Sequence, residues 1–336
     1  MARVLDGVRV IDLTSGIAGP GSAMYLADQG AEVVRIEPPP TEVPGDPLAA
    51  GGTGFVVQNR NKRSVTLNLG KPEGKAVFRK LVERSDVLIN NMRLSAAAKL
   101  GVDYPSVRAV NPRLIYGSIT AYGTQGPYAG KAGYDRLTQG FSGAMYRRWE
   151  NGTPVSTGIF LSDPSIPMLM GYGIALALLQ REKTGEGQMV ETSLLQAAIA
   201  MQMTNLVKRE NSAEPLRDLD VPAYGIYRCS DDTFINVTAL LPGQFRRLCT
   251  LLDIEHVADD PRANDFTKLK EFKEDIYPII EAIFETKPSA EWLTLLDAAD
   301  VPAAPVLERD EVFNEPQMVA NNMFVRLEHP TAGPVL

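Results

Sequence analysis

The sequence has few of the residues on which metal centres, disulfide frameworks and histidine-dependent catalysis depend. Its 336 residues include 2 cysteines, Cys229 and Cys249, and 2 histidines, His256 and His329. Neither cysteine lies in a Cys-x-x-Cys or Cys/His spacing, so we expect both to pack in the core of a protein kept in a reducing compartment. The sequence therefore predicts no metal site and gives little support to a Ser/His catalytic triad.

Excess positive charge and long apolar runs are also lacking. The formal net charge of -7 argues against a general nucleic-acid binder. The N-terminal residues show no signal-peptide pattern, and the apolar run from Met168 to Leu179 is too short and too rich in glycine to span a bilayer. We therefore expect a cytoplasmic protein that acts on a small molecule, with no nucleic-acid partner and no membrane association.

The length and the residue pattern predict two domains. A chain of 336 residues, 44% of them hydrophobic, is longer than a single core usually supports. In the first half, apolar strand patterns such as 8–13, 32–37 and 86–91 alternate with helical ones, which is typical of a parallel sheet covered on both faces. A polar, proline-bounded linker at 210–222 is followed by a hairpin pattern around Ser230 and by amphipathic helices. These patterns predict an α/β fold with a large domain at 1–215 and a smaller α+β domain at 222–325.

One acid stands out at the start of an apolar helix. The run L-S-D-P-S-I-P-M-L-M places Asp163 where a Ser-Asp-Pro start predicts a helix that runs to Gln180. A carboxylate at the positive end of the helix dipole is expected to stay ionised, and it is then a competent nucleophile or ligand at neutral pH. The alternative is an ordinary helix N-cap, and this segment alone does not decide between the two.

A glycine-containing loop, S-G-I-A-G-P-G, follows the first predicted strand and invites comparison with dinucleotide-binding loops. Its spacing is G-x-x-G-x-G rather than G-x-G-x-x-G, and Pro20 removes an N–H donor where phosphate contacts are needed. A nicotinamide-dependent dehydrogenase is therefore disfavoured. Polar and basic residues that follow another strand, Asn91, Arg93 and Lys99, could line a phosphate-binding crevice or form a solvated basic face.

Several longer motifs follow one another along nearly the whole chain. They include L-D-G-V-R-V-I-D-L-T, L-A-D-Q-G-A-E-V-V-R-I-E, N-R-N-K-R-S-V-T-L-N-L, S-D-V-L-I-N-N, G-Y-D and R-E-K-T-G-E-G-Q-M-V-E-T-S-L. In this order they resemble the class III CoA-transferases, a family that includes formyl-CoA transferase, carnitine CoA-transferase and α-methylacyl-CoA racemase. The resemblance implies a Rossmann-like large domain with a parallel sheet, a small domain, a C-terminal segment that returns to the large domain, and an interlocked homodimer. It also implies that this sequence is truncated before the returning segment.

The resemblance carries site residues with it. Asp163 matches the catalytic aspartate, which attacks the thioester of an acyl-CoA before a carboxylic acid accepts the CoA. Coenzyme A enters as a thioester substrate, and no permanently bound cofactor is implied. The implied lid loop of the small domain consists of Pro242, Gly243 and Gln244. The implied CoA contacts are Ile17, Ala18, Arg35, Leu67, Leu69, Asn91, Met92, Arg93, Lys99, Tyr134 and Asp135.

The racemase branch of the family is the alternative activity. Its histidine belongs to G-H-D, whereas this chain has Tyr134 in that position, and its glutamate is replaced here by Leu241. Both differences remove groups suited to proton transfer, so CoA transfer is favoured over racemisation or another isomerisation. A non-catalytic CoA-binding protein is the third hypothesis, and it requires that Asp163 be unreactive.

Overall fold

The computed structural model describes residues 2–39, 53–207, 210, 223–264, 268–329 and 333–336. The chain divides into two compact units, 1–207 and 208–336. Apart from Glu210, the linker predicted at 210–222 lies outside the described residues.

The first unit is built on a parallel sheet. Its strands are β1 (Arg9–Leu13), β2 (Glu32–Glu37), β3 (Lys62–Thr66), β4 (Val87–Asn90), β5 (Ile115–Thr120), β6 (Trp149–Glu150), β7 (Thr153–Pro154) and β8 (Met189–Ser193). Its α-helices are α1 (Ala18–Asp28), α2 (Thr53–Gln58), α3 (Pro72–Val82), α4 (Leu94–Leu100), α5 (Tyr104–Val110), α6 (Asp135–Phe141), α7 (Ser162–Thr184) and α8 (Leu194–Ala200). The main sheet has the order β3-β2-β1-β4-β5-β8, with every neighbouring pair parallel. The predicted α/β class with a parallel sheet is confirmed.

Helices cover both faces of this sheet, which explains why its central strands are apolar along their length. Every residue of β4 is buried. One core cluster joins the sheet to α1, α7 and α8, and a second joins it to α3, α4 and α5. Because the strands are parallel, the loop after β1 and the segment after β4 meet at the same edge of the sheet. The candidate site is built from this edge and from the start of α7.

Helices α1 and α7 pack closely against each other. A Cβ atom on Gly21 of α1 would lie 2.7 Å from Cγ of Pro167 in α7, so only glycine permits this approach. Helix α7 continues past the predicted end at Gln180 and stops at Thr184, where Gly185 takes the left-handed conformation with φ 77°.

The second unit contains a small antiparallel sheet and helices. Its strands are β9 (Tyr224–Arg228), β10 (Phe234–Thr238), β11 (Ala303–Pro305), β12 (Leu327–His329) and β13 (Gly333–Val335), and its α-helices are α9 (Pro242–Leu251), α10 (Glu255–Ala258), α11 (Leu269–Phe284), α12 (Ser289–Ala298) and α13 (Pro316–Ala320). The predicted hairpin around Ser230 is confirmed by the antiparallel pairing of β9 with β10. Cys229 and Cys249 are buried in the core of this unit, as predicted.

Candidate active site

The start of α7 is capped by a carboxylate from another helix. Asp135, the first residue of α6, is 2% exposed. Its Oδ2 accepts hydrogen bonds from the backbone N–H groups of Leu161 at 2.8 Å, Ser162 at 2.6 Å and Asp163 at 3.0 Å. These N–H groups lie at a helix terminus and have no acceptor within the helix. Asp135 therefore satisfies them together and offsets the positive end of the α7 dipole.

A buried glutamine ties this cap to the segment that leads into α7. The side-chain amide nitrogen of Gln139 donates to Oδ1 of Asp135 and, at 2.9 Å, to the carbonyl of Ile159. Its Oε1 accepts from the backbone N–H and the hydroxyl of Thr157, both at 3.2 Å. Both donor hydrogens and both lone-pair positions of the amide are thus used. One side chain links α6, the cap and the approach to Asp163.

Asp163 lies in the first turn of α7 rather than at its N-cap, which is Leu161. The alternative interpretation of Asp163 as an ordinary N-cap is wrong, because Asp135 already accepts from the terminal N–H groups. The Asp163 side chain is half-buried, and its carboxylate accepts no hydrogen bond from the residues that the structure describes. Burial, and second the nearby Asp135 carboxylate, raise the pKa of Asp163 from 3.8 to about 6. The helix dipole was expected to keep this acid ionised. Burial instead raises its pKa, and the acid is still mainly ionised at pH 7.

The loop between β1 and α1 is held to the end of β4. Oδ1 of Asn91 accepts from the backbone N–H of Ser15 at 3.0 Å, and Nδ2 of Asn91 donates to the Ser15 carbonyl at 2.8 Å. A Cβ atom on Gly19 would lie 2.4 Å from Cβ of Thr14 and 2.9 Å from Nδ2 of Asn91. Glycine at position 19 therefore lets the start of α1 pass over Thr14. Within this junction, Ile17 is the N-cap of α1 and Ala18 is its buried first residue.

A buried ion pair lies beneath the same loop. Nζ of Lys62 is 2.9 Å from Oδ2 of Asp12, and the two side chains are 2% and 0% exposed. Burial is the main cause that lowers the pKa of Lys62, and the contact with Asp12 opposes it. The sequence analysis did not identify this pair. The pattern N-R-N-K-R is typical of a solvated basic face. Only the structure shows that the side chain of Lys62 in β3 reaches Asp12 in β1.

The remaining predicted CoA contacts differ in their surroundings. Arg35 is buried, with Nε 3.1 Å from Oε1 of Glu37 and Nη1 3.1 Å from Oδ1 of Asn59. Tyr134 is 75% exposed at the N-cap of α6. Arg93 and Lys99 are exposed at the two ends of α4. Leu67 and Met92 are half-buried, and Leu69 is buried.

The three residues predicted for a lid loop form the first turn of a helix instead. Pro242, Gly243 and Gln244 begin α9, and Oε1 of Gln244 accepts from the backbone N–H of Leu241 at 3.0 Å. The backbone of a helical first turn has less conformational freedom than that of a glycine-rich loop. Their role in catalysis stays a prediction.

In the part of the chain that the structure describes, no group of three or more histidine, cysteine, aspartate or glutamate residues is arranged to hold a metal ion. No helix in that part of the chain is long and apolar enough to cross a membrane.

The sequence was compared with models of known protein families. The model of CoA-transferase family III matches residues 5–336. The chain belongs to this family. Its enzyme class is therefore acyl-CoA:carboxylate CoA-transferase, and its substrates are an acyl-CoA and a carboxylate.

Curated relatives and a solved structure resemble this chain over nearly its whole length. Succinate–glutarate CoA-transferase of Agrobacterium fabrum is 35% identical over 96% of this chain and 85% of its own length. Human succinyl-CoA:glutarate CoA-transferase is 31% identical over 99% of this chain and 78% of its own length. A crystal structure of a Mycobacterium tuberculosis protein, in its orthorhombic form, superposes with a TM-score of 0.88 at 27% identity, covering 99% of this chain and 90% of that one. The family III fold therefore extends over nearly the whole chain.

Proposed function

We propose that this CoA-transferase works through covalent catalysis, with the Asp163 carboxylate as the nucleophile. The observation that carries the proposal is the contrast between the two acids at the start of α7. Asp135 is saturated with hydrogen bonds, whereas the Asp163 carboxylate has no donor among the described residues. A carboxylate without donors keeps its lone pairs available, and a pKa of about 6 makes it a stronger base than an ordinary aspartate.

The first half of the reaction transfers CoA to the enzyme. An oxygen of Asp163 attacks the thioester carbonyl of the donor acyl-CoA, the C–S bond breaks, and the CoA thiolate leaves behind a mixed anhydride. The thiolate then attacks the aspartyl carbonyl of that anhydride. The donor acid leaves as a carboxylate, and Asp163 holds CoA as a thioester.

The second half repeats these steps with the acceptor. The acceptor carboxylate attacks the aspartyl thioester, which expels the thiolate and forms a second anhydride. The thiolate attacks the acceptor's acyl carbon, so the new acyl-CoA is released and the Asp163 carboxylate is restored. Charge and protons balance, because in every step one anion attacks and another leaves: a carboxylate displaces the thiolate, or the thiolate displaces a carboxylate.

The cap restricts where the oxyanion of each tetrahedral intermediate can be stabilised. Helix N-termini commonly supply N–H donors to developing negative charge. Here the N–H groups of residues 161–163 already bind Oδ2 of Asp135. The proposed mechanism therefore assigns these N–H groups to positioning of Asp163, and it requires other donors for the oxyanion.

Relatives support a substrate class of short dicarboxylic acids. Two curated relatives carry names that pair succinate or succinyl-CoA with glutarate. We extend that class to this chain and expect succinyl-CoA to be a better donor than formyl-CoA. Half-exposed apolar side chains beside Asp163, Phe160 and Met168, are consistent with an acyl group larger than formyl. The interlocked homodimer stays a prediction.

Trapping of the enzyme-bound intermediate tests this proposal. The protein and Asp163→Asn are each incubated with succinyl-CoA, glutaryl-CoA or formyl-CoA, quenched with hydroxylamine, digested and examined by peptide mass spectrometry. We expect a donor-dependent hydroxamate on the peptide that contains Asp163, strongest with succinyl-CoA or glutaryl-CoA and missing from the variant. An unmodified Asp163 in a protein that binds CoA would contradict covalent transfer and favour proton-transfer isomerisation or a non-catalytic CoA binder.

A further inference from the structure

The ammonium group of Lys62 contacts three separate segments of the first unit. It donates to Oδ2 of Asp12 in β1 at 2.9 Å, to the carbonyl of Pro20 in α1 at 2.7 Å and to Oδ1 of Asn59 before β3 at 3.1 Å. These three bonds use all the hydrogens of an ammonium group. The side chain is 2% exposed, so no solvent substitutes for any of these partners.

The same contacts hold both ends of the loop that joins β1 to α1. On the strand side, Oδ1 of Asp12 accepts from the backbone N–H of Thr14 at 3.0 Å and from its hydroxyl at 2.5 Å. On the helix side, Lys62 holds the carbonyl of Pro20. Between these two ends lie Ile17 and Ala18, for which a CoA contact is predicted. The buried pair therefore determines the distance between the two ends of the loop.

Stability alone does not account for this arrangement. Desolvation of two charges is costly, and replacing a buried ion pair with uncharged groups of similar volume is often neutral or stabilising. A geometric role does account for it, because a fully bonded ammonium group fixes three acceptors in direction as well as in distance. A shift of a binding loop by about 1 Å can lower an enzyme's efficiency by about 10²-fold.

We propose that Lys62 is a positioning residue for coenzyme A: paired with Asp12, it holds the loop between β1 and α1 in the conformation that binds the acyl-CoA substrate. The inference rests on the proposed function, which makes an acyl-CoA the substrate, and on the CoA contacts predicted for Ile17 and Ala18.

The contacts extend to another predicted CoA residue. Oδ1 of Asn59 accepts from Lys62 and also, at 3.1 Å, from Nη1 of Arg35. Nε of Arg35 is in turn 3.1 Å from Oε1 of Glu37 at the end of β2. Lys62 thus stands between the loop and Arg35, and its removal disturbs both.

The test compares a single variant with a charge-compensated one. Lys62→Met leaves the Asp12 carboxylate buried without its partner, so that variant loses stability for a general electrostatic reason. In Lys62→Met/Asp12→Asn the charge is removed from both sides, while the amide introduced at position 12 keeps an oxygen for Thr14. The ammonium contacts with position 12, Pro20 and Asn59 are then all missing, but no buried charge is left without a partner. Lys80→Met, at an exposed position of α3, is the matched control.

The measurements are the melting temperature, the dissociation constant of free coenzyme A by calorimetry, and kcat and KM for CoA transfer. We expect the double variant to regain most of the thermal stability that Lys62→Met loses. Its dissociation constant for coenzyme A and its KM for acyl-CoA should nevertheless stay raised by about tenfold or more, with kcat changed by less than about threefold.

Two results would overturn the inference. If the double variant binds coenzyme A as tightly as the parent, or if kcat falls while KM is unchanged, Lys62 does not position the substrate. These results are separate from a failure of the proposed function, because calorimetry with free coenzyme A does not depend on the reactivity of Asp163. A parent protein that does not bind coenzyme A would overturn both.

Discussion

Two junctions in the first unit bury carboxylates, and they neutralise them in different ways. At the junction of β1 with α1, Asp12 is paired with the ammonium group of Lys62. At the junction before α7, Asp135 is surrounded by backbone N–H groups and the amide of Gln139. Both acids are buried, and each accepts at least three hydrogen bonds. Both carboxylates are therefore held in place by donors.

Asp163 differs from both, although it lies beside one of them. Its carboxylate is half-buried without a donor among the described residues, and its pKa is raised to about 6. Groups that are desolvated but not compensated are common at catalytic sites, since the same environment that costs stability increases reactivity. Burial alone therefore does not distinguish the proposed nucleophile from the other two acids. What distinguishes Asp163 is that its carboxylate has no donor among the described residues.

The largest expected effect is on the rate of CoA transfer, when the carboxylate of Asp163 is removed. Asp163→Asn keeps the shape of the side chain but cannot form the anhydride, so CoA transfer should fall by at least about 10³-fold. The rate of CoA transfer between succinyl-CoA and glutarate measures this. Glu182→Gln, an exposed acid near the other end of α7, is the control and should keep the parental rate. A variant Asp163→Asn with most of its activity would place the nucleophile elsewhere.

Removal of Asp135, the hydrogen-bonded acid beside Asp163, should be seen first in the free energy of unfolding. Asp135→Ala leaves the N–H groups of residues 161–163 without their acceptor, so the free energy of unfolding should fall by roughly 2–4 kcal/mol. Ser193→Ala is the matched control, because Ser193 caps α8 with a single bond to the N–H of Gln196. It should lose about 1 kcal/mol. Denaturant unfolding measures both, and equal losses would show that the cap from Asp135 is no stronger than an ordinary one.

Asp163 should also lower the stability of the parent protein above pH 6. Its folded pKa of about 6 exceeds the ordinary value of 3.8. Between these values the native state binds more protons than the unfolded state, so stability decreases as the pH rises through this window. Asp163→Asn removes the effect and should be more stable than the parent at pH 8 by up to about 3 kcal/mol.

That gain should disappear near pH 4, where the parent's Asp163 is protonated in the folded state. Thermal unfolding of both proteins at pH 4, 6 and 8 measures it. Glu182→Gln again serves as the control, since an exposed acid should show no such pH-dependent gain. A gain of the same size at all three pH values would assign it to packing rather than to charge.

Local pattern predicted the strands of the parallel sheet, although it ended α7 too early and placed a loop where α9 begins. The largely apolar pattern at 86–91 predicted a parallel strand, because a strand covered on both faces has no polar side, and β4 lies within it. The start of α7 was recognisable from Ser-Asp-Pro, since capping and proline preferences act within a few residues. The position of Asp163 near the start of α7 was therefore predicted, but its surroundings were not.

What the sequence did not reveal depends on contacts between distant segments. Asp135 stands in a G-Y-D motif whose letters predict nothing about a helix that starts 27 residues later. Lys62 is one of several basic residues in a row, and only the order of the strands brings it against Asp12. Gly19 looked like a dinucleotide-loop glycine, but the reason for it is the close approach of Thr14 and Asn91. Tertiary partners determine whether a charge is paired, and a local pattern does not contain them.

The smallest predicted effect isolates the influence of Asp135 on its neighbour. Asp135→Asn removes the charge while leaving an oxygen for the α7 N–H groups, so the pKa of Asp163 should fall. Burial is the larger cause of the raised pKa, so the fall should recover only part of the shift. Because ionised Asp163 is the proposed nucleophile, kcat/KM in the parent should rise with pH until about pH 6, and in the variant this rise should end at a lower pH.

The pH position of that limb is a better readout than the rate itself. The amide introduced at position 135 faces the amide nitrogen of Gln139, and this contact alone can lower kcat. Such a loss lowers kcat/KM by the same factor at every pH and does not change the pH at which its rise ends. Gln139→Leu is the matched control, since it removes the same contact and leaves the charge of Asp135 in place. If the limb moves equally in both variants, position rather than charge couples the two acids; if it moves only in Asp135→Asn, the buried charge of the cap sets the reactivity of Asp163.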